Sequence, residues 1–415
     1  MTRADFEHVW RLEAPHVLGA LVRRYSDFDR CEDALQEALI AASLEWPGAG
    51  VPDSPRGWLL RVASRRRIDA LRSDQARIDR ERRFVSLEPG THAPAAEVAA
   101  RADHDDTVQL LVLCCDPTLT RASQVALTLR AVGGLTTAQI ASAFLVPETT
   151  MAQRISRAKA TLRATEVRFE EPSSDELPER LEAVLRVLYL IFNEGYATSR
   201  GGRLMDLSLT REAIRLTREL RAGQPGHDET AGLLALMLLT EARSAARTDE
   251  RGDLVPLERQ DRRRWDSALI GEGVEIIESV LARGDVGPFQ LQAAIAAVHA
   301  EAATWPDTDW LEITMLYRML DRLAPSPLVT LNLAVAAAMA HGPQAGLDLV
   351  EPLLEDETLF RHHRTHAVRA HLLEMADRPN DALAAYVTAS RLTTSLPEQR
   401  YLNARAVGLR QRLGD

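Results

Sequence analysis

The chain has 415 residues, 46% of them hydrophobic and 27% charged, which is ordinary for a soluble globular protein and long enough for two or three cores. Three cysteines, two of them adjacent at Cys114 and Cys115, exclude a disulfide framework and a zinc site of CxxC spacing. The net charge of −10 argues against a nucleic-acid binder until it is mapped: residues 1–168 hold 23 basic and 22 acidic residues, the remainder 27 and 38.

Membrane insertion is not expected. The longest apolar runs, 233–239 and 331–339, fall far short of the ~20 residues a spanning helix needs. The first residues carry no apolar segment of a secretory signal, so a cytoplasmic chain is expected. Within the first part, residues 56–83 hold ten arginines against Asp69, Asp74, Asp79 and Glu81, a local basic patch suited to phosphates.

In chain order, the apolar spacing predicts helices over 5–24 and 29–44. The second carries Glu32, Asp33, Gln36 and Glu37 on its polar side, a carboxylate patch open to a basic partner. Ser54 and Pro55 suit the cap and first turn of a third helix that the pattern carries to about Arg72. Leu59, Leu60, Ala63, Ile68 and Leu71 form its packing side, while Trp58, Arg61, Arg65 and Arg72 cluster opposite. An aromatic ring among guanidinium groups suits stacking on an unpaired base and holding a single-stranded backbone. From 73 to about 103 the pattern lapses into charges and a Pro-Gly-rich stretch, which reads as a flexible linker.

Residues 135–163 have the layout of a helix-turn-helix. Thr136 or Thr137 caps a short helix packing Ile140, Ala141 and Phe144; a break at 145–147 then opens a second helix. Met151, Ile155, Ala158 and Leu162 share one face of it. The opposite arc presents Thr149, Gln153, Ser156 and Arg157, flanked by Thr150, Arg154, Lys159 and Arg163, the hydroxyl, amide and guanidinium groups that read base edges and phosphates.

Beyond 176 the chain reads helical to its end. Residues 331–334 and 345–347 resemble 367–370 and 381–384 at an offset of about 36, near that of tetratricopeptide helix pairs. Asn193, Glu194 and Tyr196 are expected to close a helix with Gly195 as a left-handed cap. His362, His363 and His366 lack an HExxH companion and are expected to be structural; no metal, cofactor or enzymatic role is expected.

Three strings together resemble one family. Residues 31–38 are similar to the part of sigma region two that grips the β′ clamp helices of RNA polymerase, 55–60 with 68–72 to the part that melts and reads the −10 promoter element, and 127–163 to region four, which reads the −35 element and touches the β-flap. Their order and spacing resemble extracytoplasmic-function sigma factors, and residues 188–196 with the repeat-like end resemble the subgroup with a C-terminal tetratricopeptide-type extension. Arg65 stands where the family commonly has asparagine.

The resemblance implies an all-α chain: region two over 1–73, a linker over 74–104, region four over 105–168 and a regulatory helical-repeat domain over 176–415. It implies contacts to core polymerase through Asp33, Gln36 and Glu37. Melting and −10 contacts fall to Arg56, Trp58, Arg61, Arg65, Arg66 and Arg72, and −35 contacts to Thr149, Thr150, Gln153, Arg154, Arg157 and Lys159. Promoter DNA and core polymerase are the implied partners, with a protein or peptide partner possible for the tail. The competing reading is a helix-turn-helix regulator whose repeat domain senses a ligand or peptide and never joins polymerase.

Overall fold

The structure is a computed structural model that describes residues 3–82, 106–144, 146–164, 176–198 and 204–414. Among these the chain is all-α, its β content being one isolated bridge between Thr248 and Leu254. It divides into two compact units, Met1–Leu188 and Tyr189–Asp415. No described helix is long and apolar enough to cross a membrane.

The first unit contains α1 (Arg3–Tyr25), α2 (Phe28–Ala49), α3 (Pro55–Arg82), α4 (Thr107–Cys114), α5 (Arg121–Ala131), α6 (Thr137–Ala143) and α7 (Glu148–Ala164). Side-chain caps set their starts: Asp27 accepts from the Arg30 amide at 3.2 Å, Ser54 from Gly57 at 3.3 Å and Thr120 from Ser123 at 3.3 Å. The spacing-derived stripes are buried as expected, with Val17, Leu18, Leu21, Ala34, Leu35, Ala38, Leu39, Leu59, Leu60 and Ala63 forming the core of α1–α3.

One boundary differs from expectation. Residues 73–82, assigned by pattern to the linker, continue α3 to Arg82. They contain no Gly or Pro, and Gln75, Ala76, Glu81 and the arginines Arg77, Arg80 and Arg82 all favour helix, which lets the backbone continue where no apolar stripe marks it. The rest of the expected linker, 83–104, with residue 105 and the segment 170–175, lies outside the described residues.

The unit boundary falls inside α8 (Leu177–Tyr196). The second unit continues with α9 (Leu207–Gly223), α10 (Asp228–Glu241), α11 (Ser267–Leu281), α12 (Pro288–Glu301), α13 (Trp310–Leu323), α14 (Pro327–His341), α15 (Pro343–Val350), α16 (Glu357–Phe360), α17 (His363–Met375), α18 (Pro379–Leu392) and α19 (Leu396–Leu413). The internal resemblance maps onto two helix pairs, α14–α15 and α17–α18, whose second members both open on proline, Pro343 and Pro379. At the matching close approach stand Gly346 and Ala382; a Cβ at Gly346 would lie 2.5 Å from the Ala334 carbonyl oxygen, and Ala382 is wholly buried. Small residues at that point let each pair stack in tetratricopeptide-like fashion.

Gly195 is not a left-handed cap. It lies inside α8, and a Cβ there would meet Leu209 Cβ and the Thr210 amide, each at 2.7 Å, while its carbonyl accepts from the Asp206 amide at 2.7 Å. The glycine is there because α9 crosses against it.

The last helices are tied by Glu374, which accepts from the Tyr386 hydroxyl at 3.1 Å and from Arg405 and Arg412. Burial alone would raise its pKa, but the hydrogen bonds from the two arginines outweigh it and hold the carboxyl below the ordinary glutamate range. A depressed carboxylate stabilises the fold above its unfolded pKa and loses that contribution as pH falls through the folded value. Glu374→Gln is therefore expected to lower the melting temperature of the second unit at neutral pH, and thermal denaturation followed down through the acid range should show this deficit shrinking. A deficit independent of pH would mean the carboxylate charge is irrelevant.

Candidate nucleic-acid interface

The helix-turn-helix is built by local chemistry. Thr136 and Gln139 cap reciprocally, Gln139 N–H donating to the threonine hydroxyl at 3.2 Å and Thr136 N–H to the Gln139 side chain at 2.8 Å. Ile140 and Ala141 are buried against α5 and α7, and Phe144 is half-buried. On α7, Met151, Ile155, Ala158 and Leu162 are all buried. That leaves Thr149, Thr150, Gln153, Ser156 and Arg157 exposed, with Arg154 half-buried at their edge. The arc offers a contiguous row of donors and acceptors of major-groove type.

Lys159 is placed differently from its neighbours. Its side chain is 15% exposed and is ion-paired with Asp29 at 3.3 Å and with Glu32, both on α2. Arg163 pairs with Asp29 as well, and Arg130 of α5 donates to Glu32 at 2.9 Å and to the Leu135 carbonyl at 3.2 Å. Glu32, expected on the solvated face of α2, is thus buried between two cationic partners, Arg130 and Lys159, rather than displayed. A second seam joins α1 to the start of α4: Arg23 pairs with the buried Asp106 at 2.7 Å, and Thr107 bonds His16 at 3.3 Å. Gly19 makes this seam possible, since a Cβ there would lie 2.5 Å from Asp106 Cβ. The two helical parts of the first unit are packed together, where the sequence suggested only a tether.

On α3, Arg61, Arg65 and Arg72 are exposed, and Arg66 makes a 3.4 Å pair with Glu37 in which both side chains are more than half exposed. Pairs this exposed contribute about 0–1 kcal/mol and are readily exchanged. Arg56 is partly tied to Glu13 at 2.8 Å. Trp58 is half-buried, edge-on to Trp46 with ring centroids 5.4 Å apart, so only part of its surface is available to stack. Arg67, buried over the Tyr25 ring and 3.5 Å from Asp27, is a packing residue.

On α2, Asp33 and Glu37 are exposed and Gln36 half-buried. Partial desolvation, then the charges of Asp29 and Glu32, hold the Asp33 carboxyl above the ordinary aspartate range. The same face continues through Ile40 and Leu44, 61% and 77% exposed. Spaced seven and eleven residues from Asp33, they extend the carboxylate patch into an apolar one, a signal that helical spacing could have revealed. Asp29, Arg130 and Asp106 carried no such signal, because their partners are 83 to 134 residues away.

The remaining reactive groups are occupied structurally. Burial pushes the Cys31 and Cys115 thiols up to about 12 and raises the Cys114 thiol well above the ordinary cysteine range, which makes all three poor nucleophiles. His366 is buried and bonds the Phe360 carbonyl at 2.6 Å, and His363 pairs with Glu398 at 3.1 Å. Among the described residues no group of three or more His, Cys, Asp or Glu could hold a metal ion.

Family models match three stretches: sigma-70 region 2 over residues 9–77, sigma-70 region 4 over 110–162, and a family of unknown function, DUF6596, over 180–281. An uncharacterized protein R00370 of Rhizobium meliloti (strain 1021) is 42% identical over 397 residues, covering 94% of this chain and 92% of that protein. The probable ECF RNA polymerase sigma factor SigI of Mycobacterium tuberculosis (strain CDC 1551 / Oshkosh) is 28% identical over 159 residues, 38% of this chain and 54% of SigI. No solved structure matches.

Proposed function

We propose a mechanism that starts from family membership: this chain belongs to the sigma-70 family, as a sigma factor of the extracytoplasmic-function type extended by a DUF6596 domain. It binds core RNA polymerase in the cytoplasm through the α2 face of Asp33, Gln36, Glu37, Ile40 and Leu44. Carried to the promoter, α7 enters the major groove of the −35 element with Thr149, Thr150, Gln153, Arg154 and Arg157, and Lys159 takes a phosphate once released from α2. Arg56, Arg61, Arg65, Arg66 and Arg72 of α3 hold the unpaired strand of the −10 element, with Trp58 stacking on it. Opening DNA costs about 1.4 kcal/mol per base-pair step in lost stacking, and stacking a freed base on an aromatic ring returns about 1–3 kcal/mol, so melting needs both the ring and the cations.

The observation that carries this reading is the exposed polar arc of α7 set on a fully buried apolar stripe. The ion pairs of Asp29 and Glu32 with Arg130, Lys159 and Arg163 add a regulatory step, because they hold α7 on the helix that polymerase must grip. Free chain is then closed, and polymerase binding exchanges these contacts for its own. The second unit modulates this exchange through a bound protein or peptide.

Transcription in vitro with core polymerase and a promoter library tests the assignment: the chain is expected to redirect start sites, and a tight gel shift of duplex DNA without polymerase would instead identify an independent helix-turn-helix regulator. A chain ending at Leu188 should differ several-fold in transcription from the full chain. Equal activity would remove the regulatory role of the second unit.

A further inference from the structure

One helix of the second unit leaves an apolar face uncovered. On α13, Ile313, Leu320, Leu316 and Tyr317 pack inward against α12 and α14, and burial pushes the Tyr317 hydroxyl up to about 12. The opposite face carries Leu311, Met315, Met319 and Leu323 at four-residue spacing, these residues being 58%, 65%, 43% and 55% exposed. Leu328, 48% exposed at the start of α14, follows in the chain. Isolated exposed leucines need no explanation, but four large apolar residues in one helical stripe do.

The charges on that face identify what covers it. Glu312, Arg318 and Arg322 are exposed beside the stripe, and none of the three has an ion-pair partner among the described residues. Glu312 and Arg322 mirror each other about the level of Tyr317, as Leu311 does Leu323 and Met315 does Met319. If a second α13 lies antiparallel across a two-fold axis at that level, Leu311 meets Leu323 of the second copy, Met315 meets Met319, and Glu312 meets Arg322. Each contact occurs twice, as an isologous interface requires. We propose that this face of α13 is a homodimer interface, pairing two copies of the chain antiparallel through the Leu311–Met315–Met319–Leu323 stripe and reciprocal Glu312–Arg322 pairs.

The helix is 14 residues long, so the seam is about 21 Å at 1.5 Å per residue. A single helix pair of that length buries less than the ~1,600 Å² of a standard interface, which puts the dimer at the weak end, in the micromolar range. Methionine at the centre suits an interface that forms and releases, its unbranched chain repacking at little cost.

Sedimentation equilibrium on the full chain is expected to give a concentration-dependent dimer. Glu312→Arg and Arg322→Glu should each return it to monomer by placing like charges opposite each other. The double variant E312R/R322E should dimerise again, and an equimolar mixture of the two single variants should form the heterodimer. Met315→Cys with Met319→Cys should give a disulfide-linked dimer under mild oxidation, with no background from the buried native cysteines. Since all these positions are exposed, far-ultraviolet circular dichroism should be unchanged. A chain that stays monomeric at high micromolar concentration overturns the proposal, as does a dimer indifferent to the charge reversals. A monomer whose α13 variants lose polymerase or another protein would assign the face to that partner and overturn it too.

Discussion

Glutamate at both Arg154 and Arg157 is expected to abolish transcription that depends on the −35 element while leaving core polymerase binding intact. Arg157 is exposed on the arc of α7 and Arg154 half-buried at its edge, and neither holds the helix-turn-helix together. A well-placed side-chain contact to a base contributes about 1–3 kcal/mol of discrimination. Two reversals both remove such contacts and bring negative charge to the phosphates, so a loss of two orders of magnitude or more is expected. Polymerase binding should survive, because the α2 face of Asp33, Glu37, Ile40 and Leu44 proposed to carry it is untouched. Run-off transcription from a promoter with its −35 element altered checks the assignment, since the variant should lose nothing further there. Loss of polymerase binding and DNA reading together would mean a misfolded chain and not a missing contact.

The second large effect is expected from Glu32→Ala. Glu32 is the carboxylate on which Arg130 and Lys159 converge, and its side chain is only 5% exposed. Removing one partner of a buried pair costs about 3–5 kcal/mol, because the other is left desolvated and unpaired. In the proposed mechanism the strain has an outlet other than unfolding: α7 leaves α2 and takes its cations into water. Each 1.4 kcal/mol is tenfold, so the closed form should fall by at least about a hundredfold relative to the open one. Fluorescence energy transfer between labels on α2 and α7 should report the separation, with helicity retained. Polymerase should then bind more tightly, since it no longer competes with α7 for α2. Labels that separate without any gain in polymerase affinity would show that the closed form does not gate docking, and unchanged transfer would show that the ion pairs do not hold it.

The fold was legible wherever a helix had to bury a stripe. Leu59, Leu60 and Ala63 on α3, and Met151, Ile155, Ala158 and Leu162 on α7, are buried as their spacing required. It was illegible where burial was not the organising force. Residues 73–82 continue the helix with no apolar stripe to announce it, and Gly195 is fixed by the approach of α9, an event outside its own segment. The same division applies to the interface. Thr149, Gln153 and Arg157 are exposed as a recognition arc requires, whereas Lys159, three residues from the exposed Ser156, is drawn to α2 by carboxylates 127 and 130 positions earlier in the chain. Charge pairs across that distance leave no periodic trace in a sequence. Glu32 was misplaced for the same reason, its partners being in another helical part.

Lys159 is the sole lysine among the chain's 50 basic residues. Arginine side chains do not react with amine-selective acylating reagents, so such a reagent meets one side-chain target besides the chain's terminal amine. That target is shielded by Asp29 and Glu32 when α7 lies on α2 and freed when it leaves. In the proposed mechanism this is a built-in chemical gauge: the rate at which Lys159 itself is acylated, read on the peptide that carries it and so apart from the terminal amine, reports how often the two parts of the first unit separate, with no label introduced.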